Sequence, residues 1–70
     1  MGLNAPAEIR MINNIAAHFG YLHTDQAATA VADHIRRFWH PQMQKRLLML
    51  ADVDTRDLDP ISVAAAALLR

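Results

Sequence analysis

HIRRFWHPQM, residues 34–43, holds the only tryptophan, one of the two phenylalanines, a double arginine and a proline. The apolar positions leading into it, Ala28, Val31, Ile35 and Phe38, recur at intervals of three, four and three, the period of one helical face. That helix must stop before Pro41, whose ring clashes with the preceding turn and disfavours helical geometry at His40. Pro41 in turn suits the first position of a new helix, because its missing N–H would have had no partner there. The stretch therefore reads as helix, proline corner, helix. Ile35, Phe38 and Pro41 are expected to fix the corner. Arg36 and Arg37 face away from the apolar stripe, and Trp39 stands at its edge. A core position for Phe38 predicts that Phe38→Ala costs roughly 3–5 kcal/mol.

Working outward from the corner, helical punctuation continues in both directions. Upstream, Asn4 can cap a first helix, with Pro6 in its first turn and Glu8 near its positive end. Ile9, Ile12, Ile15, Ala16 and Phe19 share one face of it, and Gly20 is expected to end it as a left-handed cap. Thr24 restarts the second helix. Downstream, Met43, Leu47, Leu50 and Ala51 form the stripe of a third helix, and DVDTRD, residues 52–57, breaks the pattern as an acidic loop. Asp59-Pro60 is a cap followed by a first position, opening a fourth helix whose face of Ile61, Ala64 or Ala65 and Leu68 is thin. The expectation is an all-α chain: a small compact bundle of about four short helices, roughly 5–19, 24–39, 41–52 and 60–69, forming a single domain over residues 1–70.

Composition bounds what such a bundle can do. The chain has 70 residues and is 53% apolar, but 13 of the apolar residues are alanine, so few large side chains remain for a core. A margin of about 3–5 kcal/mol is what a domain of this size sustains, and a partner that buries more surface would raise it. There is no cysteine, which excludes disulfides, thiolate metal sites and cysteine nucleophiles. No apolar run approaches the roughly 20 residues of a membrane span. The opening residues carry neither a secretory pattern nor the Ser or Thr that a myristoylation signal needs at residue 6. A soluble, cytoplasmic protein is expected.

The seven basic and seven acidic residues balance overall but not locally. Arg36, Arg37, Lys45 and Arg46 lie between residues 34 and 46 without an acid, whereas residues 52–59 hold four aspartates and one arginine. Such polarity suits oriented docking. His34 and His40 are six residues apart, off the four-residue spacing that puts two imidazoles on one helical face, and His18 and His23 straddle the Gly20 break. Nothing assembles a catalytic constellation, no Gly-rich phosphate loop occurs, and Ser62 reads as a helix-start serine. No catalytic, cofactor-binding or metal-binding residue is expected. A helix-turn-helix DNA reader is the alternative, with the third helix, opening PQMQKR, as its recognition element. Zero net charge and a proline corner speak against it.

The segments VADHIRRFWHPQMQKRLL, MINNIAAHF and LDPISVAAAALL together resemble the delta subunit of cytosolic NAD-dependent formate dehydrogenases over Met11 to Leu69. The resemblance centres on His34-Ile35-Arg36-Arg37-Phe38-Trp39, then Pro41 and Met43. His40 replaces the family's usual aspartate, exchanging a strong N-cap for a weaker one, and Gln42 replaces a common basic residue. The resemblance implies a non-catalytic accessory subunit without a cofactor of its own. The complex would use a molybdenum or tungsten pterin cofactor, iron–sulfur clusters, FMN and NAD, all on other subunits, to convert formate and NAD to CO2 and NADH. The implied partner is the catalytic alpha subunit, whose cofactor maturation or stability the delta chain would support; self-association of the isolated chain is a further expectation. Arg36, Arg37, Trp39, Met43, Lys45 and Arg46 are the candidate partner-binding residues, since Trp and Arg are enriched at interface hot spots.

Overall fold

The computed structural model describes residues 5–70. Four helices follow one another: α1 Ala7–His18, α2 Thr24–Phe38, α3 Pro41–Val53 and α4 Pro60–Leu69. No strand forms among the described residues, and the all-α expectation holds. The expected cap Asn4 lies outside the described residues; Pro6 occupies the N-cap position of α1, and Glu8 is in its first turn.

The α1–α2 connection departs from expectation. Gly20 was expected in the left-handed region, but no described residue has positive φ. The chain instead tightens: the Phe19 N–H donates to the Ala16 carbonyl at 3.1 Å, and that of Leu22 to Phe19 at 3.1 Å. These are i→i+3 bonds, so the helix winds down through turns of 3₁₀ type without needing a residue at positive φ. At Pro41 the expected corner forms. Trp39 and His40 are both extended, with ψ of 140° and 146°, and Pro41 opens α3. His40 supplies no side-chain cap, in keeping with the weak cap expected of it.

The core assigns the large and small side chains differently from the stripes read in the sequence. Ile9, Ile12, Ile35, Leu47, Leu58 and Trp39 form the core, together with seven alanines and Val31. α2 and α4 form the most extensive helix pair, and both bring alanines into the core, Ala28 and Ala32 from one and Ala65 and Ala66 from the other, all nearly or fully buried. Axis separation between packed helices is set by the side chains at the contact, so alanines let two backbones approach closely. The face of α4 is therefore not thin in function. Its buried residues are Ser62, Ala65 and Ala66, with Ile61, Ala64 and Leu69 packed at the margin, and Leu68, expected inside, is exposed.

Asn13 of α1 fastens this arrangement. Its Nδ2 donates to the Asp57 carbonyl at 2.7 Å, and its Oδ1 accepts from the Asp59 N–H at 3.0 Å and from Ser62 Oγ at 2.8 Å. One amide side chain thus satisfies the loop before α4, a free N–H at the start of α4 and a fully buried hydroxyl. Ser62 is not a cap. Its polarity is satisfied across the core, and Asp59 makes no side-chain cap either.

Candidate docking surface

At the corner, position and chemistry part company. Ile35 is fully buried and Trp39 is 7% exposed, but Phe38, expected in the core, is 71% exposed. Counting from Ile35, Trp39 lies about 40° round the helix in one direction and Phe38 about 60° in the other. The turn at Pro41 decides between them by folding α3 back on the Trp39 side. Gln44 of α3 lies there, its Nε2 donating to the Trp39 carbonyl at 3.1 Å and the Ile35 carbonyl at 3.4 Å. The Trp39 carbonyl is an acceptor that the end of α2 leaves open, whereas the Ile35 carbonyl also accepts from the Trp39 N–H at 2.9 Å. On the other side the Phe38 ring rests against the His34 ring, with centroids 4.8 Å apart and planes inclined at 45°.

The basic residues of the corner also divide. Arg36 was expected to be free for docking apart from Asp33. It does pair with Asp33, at 3.4 Å, but its other guanidinium nitrogen donates to the Leu68 carbonyl in the last turn of α4. There it fills an open helix-end acceptor at the negative end of the dipole, so Arg36 ties α2 to α4. Arg46 pairs with Glu8 at 3.2 Å, joining α3 to α1. Met43 is half-buried against the core. Trp39, Met43, Arg36 and Arg46 are thus engaged within the fold, while Arg37 and Lys45 are exposed and have no hydrogen-bond or ion-pair partner among the described residues.

The acidic stretch is partly neutralised by arginines. Arg56 binds Asp54 through Nε at 2.9 Å and through a terminal nitrogen at 2.8 Å, and Arg70 pairs with Asp52. The Arg56 hydrogen bond holds the Asp54 carboxyl below the usual carboxylate range, and the same bond raises the Arg56 guanidinium. The polarity legible along the chain is therefore weaker in space than in sequence.

The donor set does not fit the metal centres the resemblance implies for the complex. Iron–sulfur clusters need cysteine thiolates, and the chain has none. Among the described residues no three His, Asp or Glu side chains are grouped to hold a metal ion. No helix among them is long and apolar enough to cross a membrane. What the surface does offer is large apolar side chains in water: Met11, Tyr21, Phe38, Met49, Val53, Val63 and Leu68 are all exposed.

The fold and surface define the class of small all-α proteins that hold large apolar side chains in water. The chain belongs to the family described as "NADH-dependant formate dehydrogenase delta subunit FdsD", whose family model matches residues 9–66. No curated protein and no solved structure matches the chain.

The helix-turn-helix alternative loses ground on geometry as well. Gln44, one of the two glutamines available to read bases, is turned inward onto the end of α2. The reading by sequence missed Asn13 and assigned Ser62 a helix-start role in place of its bond to Asn13. Their only linear signal is the Met-Ile-Asn-Asn-Ile pattern of the opening helix, which places an amide beside the buried Ile12.

Proposed function

We propose that this chain is a non-catalytic accessory subunit that binds the catalytic alpha subunit of a formate dehydrogenase complex and supports the maturation of its cofactor or its stability. The pterin metal, iron–sulfur clusters, FMN and NAD then reside on the partner chains, and the delta chain works with them in the cytoplasm. The observation that carries this reading is the exposure of Phe38. A family member with few large side chains leaves an aromatic ring 71% exposed beside an arginine that has no partner among the described residues. Contiguous apolar surface on a small domain marks an interaction site, and aromatic and arginine residues are the enriched types there.

The test is to produce tagged alpha subunit with and without this chain, then measure co-purification, metal and pterin content, and formate oxidation by the assembled complex. Stoichiometric recovery of the chain is expected, with lower cofactor content or faster loss of activity when it is omitted. A fully loaded, equally durable alpha subunit that never retains the chain would refute the proposal.

A further inference from the structure

The flank between the end of α1 and the second half of α2 carries two open recesses. Phe19, Ala30, Asp33, His34, Arg37 and Phe38 bound one of about 220 Å³; Ile15, His18, Phe19 and His34 bound the other, of about 330 Å³. Phe19 and His34 line both, so the two form one shallow groove. Small-molecule sites usually enclose about 300–1,000 Å³ and bury most of their ligand. Taken together the two recesses reach that volume, but both are open and enclose no cavity, a shape that suits side chains presented by another chain.

The walls define the chemistry of that chain. Ile15, Phe19 and Phe38 supply apolar and aromatic surface, and the Phe38 ring is already positioned over His34, so little order need be gained on binding. On the rim, Asp33 is engaged by Arg36, whereas Arg37 has no partner among the described residues. The charge left uncompensated is a cation beside an aromatic ring. We propose that this groove, and not the Trp39 and Arg46 side of the corner, is the seat of the delta–alpha contact. It takes a segment of the alpha subunit that lays an apolar side chain against Phe38 and Phe19 and a carboxylate on Arg37. The inference rests on the docking reading above and adds which face docks and what that face recognises. A second copy of the chain, whose Asp25 and Asp59 carboxylates have no ion-pair partner among the described residues, is the rival occupant that sedimentation tests.

The experiment measures binding of tagged alpha subunit to the full chain as wild type, Phe38→Ser, Arg37→Glu and Val53→Ser, at low and high salt. Val53 is equally well exposed and lies away from the groove. Thermal melts alongside report whether each variant folds, and Arg37→Glu, an exposed change, keeps the test sound if Phe38→Ser does not. Phe38→Ser is expected to weaken binding roughly thirtyfold, as loss of a hot-spot residue does. Arg37→Glu is expected to weaken it about tenfold at low salt and less at high salt, because screening already suppresses exposed charge pairs. Val53→Ser should bind as wild type. If wild type binds and both groove variants bind equally well, the groove assignment is wrong while the docking reading stands. If wild type does not bind, the docking reading itself fails and this inference falls with it. Sedimentation showing a wild-type dimer that Phe38→Ser converts to monomer, with alpha binding unchanged, would overturn the assignment in favour of a second copy.

Discussion

Two faces of α2 obey opposite rules. On its buried face the helix presents Ala27, Ala28, Val31 and Ala32, small residues that are fully or almost fully buried. Toward the open flank it presents His34, Arg37 and Phe38, larger residues of which Phe38 is among the most exposed large apolar side chains described. Ile35 apart, size and burial are thus inverted along one helix. The alanine face gains its stability from close backbone approach, with many weak contacts and little side-chain entropy lost on ordering. The aromatic flank contributes little to folding and remains available to another surface.

The largest expected effect tests the inversion directly. Ile35→Ala should cost roughly 2–5 kcal/mol, the range for large-to-small changes at a fully buried site, and on a margin of similar size should abolish cooperative melting followed by circular dichroism. Phe38→Ala, a deletion of more atoms, should stay within about 0.5 kcal/mol, the usual range for exposed positions. Equal losses for the two would break the comparison.

A change of intermediate size probes the seam from the other direction. Ala65→Leu adds apolar area but no space, and overpacking of a well-filled contact costs about 1–3 kcal/mol. A denaturant melt that shows stabilisation would mean the α2–α4 contact is looser than the burial of its alanines indicates. A third substitution sharpens what holds the seam in register. Asn13→Ala leaves the buried Ser62 hydroxyl and the Asp59 N–H without their acceptor, a cost of about 1–3 kcal/mol, at the lower end if water reaches the loop. Repeating the change on a Ser62→Ala background should recover part of the loss, since one orphaned group is then gone, and a double-mutant cycle of melts measures it.

Much of the fold was legible because proline and helical period are local signals. Pro41 and Pro60 fix the starts of α3 and α4, and Met43, Leu47, Leu50 and Ala51 lie on the inward face of α3 as their spacing requires. The docking side of the corner was not. Residues three and four beyond Ile35 fall on either side of it at comparable angles, and only the direction of the chain after Pro41 selects Trp39 for the core. Arg36 looked free because its second partner, the Leu68 carbonyl, is 32 residues away. Alanine looked like filler because its value is relational. It deepens a contact only when the facing helix is also small, and no single helix reports what it will face.

The Asn13 clasp also bears on the order in which the molecule can form. Asn13 and Ser62 are separated by 49 positions, and Arg36 and Leu68 by 32. Helices α1, α2 and α3 can each wind on local signals, yet the contacts that lock α4 in place close long loops, whose entropy must be met before the contacts stabilise anything. Because α4 follows the other helices in the chain, a growing polypeptide carries the alanine face of α2 uncovered until the fourth helix has emerged. The rate-limiting event of folding is then expected to be the seating of α4, with the nucleus spread across both ends of the sequence and not at the corner that the eye finds first.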